Sequence, residues 1–334
     1  MRSLRRLAVV VLAWLCVGGL PASAQTRVSI ANIIVNSSHL PLWIAQEQGL
    51  FAEHGIDAQV LTVEGDPTRR MVGDVQFGVI GIPAAILAVA AGRDLKVLLS
   101  LDTAQSTGQL VARREINTPD GLRHKRFGVN RVGAGIWIQA MLALHYLGLE
   151  PARDGIAFVE IGSAPQLAQA LEDGRIDATL LDPAQSAQLR GKGYPVLLDL
   201  YAANISGIQS ALVVTGAYLR ERPGTVEKVV AASIEGIAFA LAPQNEEIVR
   251  KALMTRMKVS EPGAAESGYR SFLSRANRKP FPSAAEIQRL QRVMAVNDPN
   301  VVNVKLADLV DDRIVRKLDD SGVIDRIYGS YTVK

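Results

Sequence analysis

The chain has 334 residues, 37 Lys and Arg against 33 Asp and Glu, a net charge of +4 and a single cysteine. That length can bury the cores of two lobes. The charge balance gives no reason to expect nucleic acid or an acidic membrane as partner, and one cysteine excludes a disulfide framework.

Residues 1–24 read as an export leader. Arg2, Arg5 and Arg6 precede an apolar run from Leu7 to Leu20, and Ala22-Ser23-Ala24 supplies the small residues of a cleavage site. The run is shorter than the roughly 18 residues of a membrane span, so cleavage after Ala24 is expected rather than anchoring. Cleavage removes three arginines, no acid and Cys16, leaving a mature chain of charge about +1 without cysteine.

The mature chain opens with a β-branched stretch, Arg27 to Val35, that predicts a strand. Pro41 is pre-set for a first helical turn, Gly49 is placed to end that helix in the left-handed conformation, and Ile56 to Val60 alternates as a second strand. The polar loop Asn36-Ser37-Ser38-His39 then lies at the carboxyl end of a strand, where ligands collect in open α/β sheets. Further along, the stretch from Pro67 to Leu99 repeats the rhythm of Pro165 to Leu198. Each runs from a proline-started helix through a glycine into a strand, then through a second proline (Pro83, Pro183) and an alanine-rich helix into another strand. Two such copies predict two similar lobes with parallel sheets. Between them Gln109 to Ala112 reads as a strand leaving the first lobe, and Gln209 to Val214 as the returning strand. Residues 25–111 and 209–334 are therefore assigned to one discontinuous lobe and 112–208 to the other. The helices after Pro223, with Val226, Val229, Val230, Ile234 and Ile237 at helical spacing, are expected on the first lobe.

Catalytic patterns are missing. There is no H-E-x-x-H, G-x-S-x-G, Walker or Cys-x-x-Cys arrangement, and the four histidines fall at unrelated points, so neither a metal nor a cofactor is expected and an enzyme is the least favoured class. Binding features are better represented. Asn130 to Gly135 is a Gly-rich loop at a helix start, where unpaired amides and the helix dipole around Gly133 and Ala134 can hold an anion. Ile82-Pro83 and Asp182-Pro183 are two more helix starts after strands, Asp182 being foremost an N-cap. Gln105, Gln185, Asn204 and Ser206 are neutral polar loop residues at the same level. Trp43 and Trp137 each follow a cleft loop by a few residues, and either packs in the core or stacks on a ligand.

The phrase HLPLWIAQEQGLFAEHGID, from His39 to Asp57, resembles the first motif of the substrate-binding proteins of ABC transporters for aliphatic sulfonates, taurine and nitrate. That group includes thiamine-pyrimidine-precursor proteins. FGVIGIPAAILAVAAGRDLKVL, RFGVNRVGAGI, DGRIDATLLDPAQ and ERPGTVEKVVAASIEGIAFAL extend the resemblance through most of the mature chain. It implies an α/β, two-lobed periplasmic-binding-protein fold of type II, each lobe a mainly parallel sheet flanked by helices, with two crossover strands. It also implies ligand contacts in the loop carrying Ser37, Ser38 and His39. A synthase relative uses a cysteine-rich iron site, for which this mature chain has no cysteine. The resulting expectation is a monomeric periplasmic protein that binds a small anion and delivers it to an ABC transporter membrane permease, closing by a hinge near Val111 and Ile208. The alternatives are a thiamine-precursor or other heteroaromatic ligand, or a periplasmic sensor input.

Overall fold

A computed structural model describes residues 25–32, 37–63, 71, 74–103, 106, 108–205, 208–258 and 262–331. The leader, the end of the first predicted strand, Gln105 and Ser206 lie outside the described residues.

Two five-stranded sheets organise the chain. The first holds β1 (Thr26–Asn32), β2 (Ile56–Thr62), β3 (Phe77–Gly81), β4 (Leu95–Ser100) and β10 (Ser210–Thr215) in the order β2-β1-β3-β10-β4. The second holds β5 (Gln109–Ala112), β6 (Arg126–Val129), β7 (Ala157–Glu160), β8 (Ala178–Leu181) and β9 (Val196–Asp199) in the order β7-β6-β8-β5-β9. In each sheet one strand runs against the others, one place in from the edge: β10 in the first, β5 in the second. The repeat seen in the sequence is thus a repeat of topology. It extends to a register shift in both inserted strands, between Leu212 and Val213 against β4 and between Leu110 and Val111 against β9.

The expected division at residue 111 falls inside β5. That strand bonds along its whole length to β8, and its other edge bonds to β9, so its partners are all in the second sheet. β10, by contrast, follows every strand of the second sheet in sequence yet pairs with β3 and β4 of the first.

Helices cover the faces. α1 (Leu40–Glu47) begins with Pro41 in its first turn, and Gly49, at φ +75°, separates it from α2 (Leu50–Glu53). The left-handed conformation is what demands glycine there. α3 (Ile82–Ala90) follows β3, α4 (Gly135–Tyr146) follows β6, α5 (Pro151–Asp154) precedes β7, α6 (Ala164–Glu172) follows β7 and α7 (Pro183–Gly191) follows β8. After β10 come α8 (Gly216–Glu221), α9 (Pro223–Leu241), α10 (Glu246–Met257), α11 (Pro262–Arg275) and α12 (Ala284–Met294). Three short helices, α13 (Leu306–Leu309), α14 (Arg313–Asp320) and α15 (Val323–Ser330), complete the chain.

The long helix α9 has the apolar stripe expected of it: Val226, Val229, Val230, Ile234 and Ile237 are all fully buried in one core with α1, α10 and the first sheet. The expectation that every late helix serves the first lobe does not hold for α12. Ile287, Leu290, Val293 and Met294 enter a second core that takes residues from both sheets, and α12 packs against α3 of the first unit and α4 of the second. An amphipathic helix buries its apolar stripe wherever a complementary surface lies, and sequence periodicity does not say which lobe provides it.

α9 approaches α1 very closely. A Cβ at Gly236 would overlap the carbonyl oxygen of Pro41, a backbone atom that cannot swing aside. Gly236→Ala should therefore destabilise the protein by about 1–3 kcal/mol through overpacking. Its intrinsic helix gain, about 1 kcal/mol in the opposite direction, is offset by that contact. Chemical denaturation of the variant measures the net effect, and a gain in stability would show that the α1–α9 contact is looser than described.

Candidate functional site

The carboxyl ends of β1, β3 and β4 and the start of β10 share one end of the first sheet, and the carboxyl ends of β6 and β8 share one end of the second. Ile208, between the two crossovers, lies against both. A Cβ on Gly81 would be 3.0 Å from its Cγ2, and one on Gly135 would be 3.6 Å from its Cδ1. The start of α3 and the start of α4 therefore face each other across a single side chain.

The loop entering α1 folds as a 3-10 turn over Ser37–His39 whose three side chains are all buried. Ser38 is not free to greet a ligand. Its hydroxyl donates to Asp102 Oδ2 at 2.6 Å and accepts from Arg275 at 2.9 Å. Asp102 follows β4; its other carboxylate oxygen accepts from the Ser210 amide at 2.9 Å, and Arg275 lies 3.4 Å from Oδ2. One buried carboxylate thus joins the loop after β1, the end of β4, the start of β10 and the end of α11. Burial pushes the Asp102 carboxyl up from its ordinary value, while Arg275, Ser38 and the Ser210 amide pull it back down. His39 has burial alone, and its pKa falls to about 4. It is neutral at pH 7, its ring is edge-on to Trp43 at 5.8 Å, and its Nδ1 has no hydrogen-bond partner.

Several other buried polar atoms at these strand ends are also unpartnered. On the first wall they are both amide atoms of Asn32, at the end of β1, with Ser100 Oγ and Gln209 Oε1; on the second they are Asn130 Oδ1, Gln185 Oε1 and Ser186 Oγ. Leaving one such group unpaired costs about 1–3 kcal/mol. Gln209 is informative because its Nε2 donates to the Asp102 carbonyl at 3.3 Å. Its Oε1 is thereby fixed as an acceptor awaiting a donor.

The residues anticipated from the sequence divide clearly. Ser37, Ser38 and His39 are buried in the turn after β1, Ser38 with its hydrogen bonds already taken. Trp43 and Trp137 are each 3% exposed and lie in separate cores, Trp137 edge-on to Phe158 at 5.9 Å; this is packing, and no ring face is open for stacking. Ile82 is fully buried and gives its amide to the Gln209 carbonyl at 3.0 Å, and Pro83 has no amide to give, so neither supplies a donor. Asp182 caps α7 by accepting from the Gln185 amide at 2.9 Å. It also borders a cavity of about 210 Å³ with Gly108 and Gln139. Asn204 is exposed in a turn at φ +51°, a conformation asparagine tolerates, and is a turn residue.

Gly133 is left-handed at φ +80°, which alone accounts for glycine. The neighbouring amides are partly spoken for: Ala134 N–H bonds to the Arg131 carbonyl at 3.1 Å, and Val132 N–H to the Glu160 carboxylate at 2.8 Å. The N-terminal amides of α4 have no side-chain cap. Sequence reasoning passed over Asn32, Asp102, Gln209 and Arg275. A polar residue terminating an apolar strand, as in Leu98-Leu99-Ser100-Leu101-Asp102, was the available signal for the first three; Arg275 had none. Among the described residues no group of three or more His, Cys, Asp or Glu is arranged to hold a metal, and no helix is long and apolar enough to cross a membrane.

Two mixed five-stranded sheets flanked by helices, with the chain crossing from one to the other and back, make a two-lobed α/β architecture of the periplasmic-binding-protein fold. The sequence model of the NMT1/THI5-like family matches residues 36–247, and the chain belongs to that family. It is 21% identical to the putative binding protein YtlA of Bacillus subtilis over 88% of this chain and 90% of that one. It is 27% identical to the riboflavin-binding protein RibY of Chloroflexus aurantiacus over 64% of this chain and 62% of that one. The fold is shared with a putative sulfonate ABC transporter's periplasmic sulfonate-binding protein, SsuA, from Methylobacillus flagellatus, with a TM-score of 0.67 and 14% identity, covering 93% and 98% of the two chains. It is also shared with the desulfurization enzyme DSZB, with a TM-score of 0.58 and 19% identity over 89% and 99%. The fold alone therefore does not separate binding from catalysis.

Two measurements test the electrostatics of the site. The His39 pKa of about 4 lies below its unfolded value of 6.5, so between those pH values the unfolded chain binds the extra proton. His39 contributes about 3 kcal/mol that is fully present above pH 6.5 and is lost as the pH falls towards 4. Stability of His39→Gln followed over pH 4–7 should lack that part of the wild-type slope; identical slopes would place His39 in water. Arg275→Ala should cost about 3 kcal/mol by stranding the Asp102 carboxylate. The double variant Arg275→Met, Asp102→Leu should cost less than the sum of its parts, and strict additivity in the double-mutant cycle would deny the coupling.

Proposed function

We propose that this protein is an exported solute-binding protein which captures a small organic molecule between its two lobes, residues 25–111 with 209–334 and residues 112–208, the whole of β5 being counted with the second, and passes it to an ABC importer in the membrane. The carrying observation is the set of unpartnered buried amide, hydroxyl and imidazole groups at Asn32, His39, Ser100, Gln209, Asn130 and Gln185. Hydrogen bonds to ligand are the natural completion of such a set in a cleft. Export rests on the leader, and the membrane partner on the resemblance to binding components of import systems. Binding without turnover is the reading that fits strand ends whose one buried carboxylate among the described residues is already engaged by Arg275, Ser38 and Ser210.

The ligand class is constrained on both sides. A small anion of the sulfonate or carboxylate type suits the uncapped start of α4, whose dipole favours negative charge. The fixed acceptor at Gln209 Oε1 requires a ligand N–H or O–H, so an amino- or hydroxy-substituted anion suits the cleft better than a bare inorganic one. That same acceptor, with a neutral His39, also favours the second reading, a nitrogen heteroaromatic of the aminopyrimidine or flavin type; RibY, a riboflavin-binding relative, is consistent with it.

A thermal-shift screen with aminosulfonates, alkanesulfonates, nitrate, carboxylates, aminopyrimidines and flavins separates these classes. A ligand at 100 times its Kd adds about 2.7 kcal/mol, enough to move the midpoint by several degrees. Asn32→Leu then tests the site itself. If the Asn32 amide waits for ligand, the variant should gain about 1 kcal/mol without ligand and lose roughly tenfold or more in affinity. Reduced stability with unchanged affinity would make Asn32 a structural residue paired to internal water and would remove it from the site.

A further inference from the structure

α12 and the carboxyl half of α4 leave a groove of about 340 Å³ between them. Its floor and sides are apolar: Met141 and Leu149 from the second unit, Val293 and Val296 from α12 and the turn after it. Arg289 and Arg292 stand over it. On α12, residues 289, 292, 293 and 296 follow the spacing that places side chains on one helical face, so cation and hydrocarbon form a single stripe. Val296 is 65% exposed, which is unusual for valine beside a formed cavity. The two arginines differ in their bonding. Arg289 is ion-paired with Glu286. Arg292 is exposed and, among the described residues, has no ion pair or hydrogen bond. Glu150 and His145 lie at the rim, Glu150 3.6 Å from Arg153, so the acid there is already matched. Burial, and then the charge of Arg292, hold the Arg289 pKa below its ordinary value.

We infer that this groove is a second ligand site, separate from the cleft, for a single-chain amphipathic anion: a medium-length alkyl carboxylate or sulfonate whose chain covers Met141, Leu149, Val293 and Val296 and whose head group pairs with Arg292. The apolar lining supplies the binding area and the unpaired guanidinium supplies the polarity, with Arg292 free to meet a two-oxygen head group side-on. The site is distinct from the cleft because α4 runs about 15 Å from Gly135, which faces Ile208, to His145 at the groove. α12 itself touches both units, so an occupant would sit where the two are braced against each other.

Calorimetric titration of the processed protein with sodium octanoate, below the concentration at which octanoate self-associates, tests the inference. Saturable binding of one octanoate per chain is expected. Hexanoate should bind about fifteenfold more weakly, at roughly fourfold per methylene, and uncharged octanamide about tenfold more weakly. Arg292→Glu and Val296→Asp change exposed side chains and should fold normally; each should weaken octanoate binding tenfold or more. Asn32→Leu, in the cleft, should leave octanoate binding unchanged. The inference is overturned if binding is non-saturable or indifferent to chain length, if both groove variants bind octanoate as the wild type does, or if Asn32→Leu abolishes it.

Discussion

β10 enters the first sheet antiparallel to β3 and β4 and hydrogen-bonds to both over Ser210–Thr215. Without it those two parallel strands would share no edge, and the first core, which places Leu212 and Val214 of β10 among residues of α1 and α9, would be open. Because the chain must leave the first sheet to build the second and come back to supply β10, the sheet closes only after the whole second unit exists. Long-range pairing of this kind carries its entropy cost before it returns any contact. The start of β10 is then held by Asp102, the same carboxylate that holds Ser38, so the closure of the sheet and the shape of the ligand loop depend on one buried ionic cluster.

That cluster explains the character of the cleft. Arg275, the cation that approaches Ser38, is committed to Asp102 and Ser38, and His39 is neutral because nothing around it repays its desolvation. The buried groups left unpartnered at these strand ends, among the described residues, are neutral donors and acceptors. Recognition through such groups is directional: it rewards a ligand whose own donors and acceptors match and penalises one that leaves Gln209 or Asn32 unpaired. Ile208, beside Gln209, lies against the starts of both α3 and α4, so any change in the separation of the two sheets must move the residue next to Gln209.

The two units are built alike, down to the matching register shifts in β5 and β10, but they are not finished alike. The first gains α9, α10 and α11 on one face. The second receives α12 against α4, and it is this borrowed helix that creates the Arg292 groove. An element shared between two units brings side chains together that neither unit's sequence would place in contact, which is why the groove has no counterpart elsewhere in the repeat.

The sequence by itself determined the local plan: a proline-started helix ended by left-handed Gly49, the buried stripe of α9, the paired strand-proline-helix-strand rhythm at Pro83 and Pro183, and Asp182 as a cap. These follow from backbone preference and from periodicity, which act within a few residues. The tertiary structure alone decided which sheet β5 joins, that α12 spans both units, that Trp43 and Trp137 are packed, and that Asp102, Arg275, Gln209 and Asn32 matter. The reason is that pairing across about 240 residues of chain, as between Ser38 and Arg275, and the desolvation that turns an ordinary His39 or Asn32 into an unsatisfied group, are properties of what surrounds a side chain. Neither is written in its neighbours along the chain.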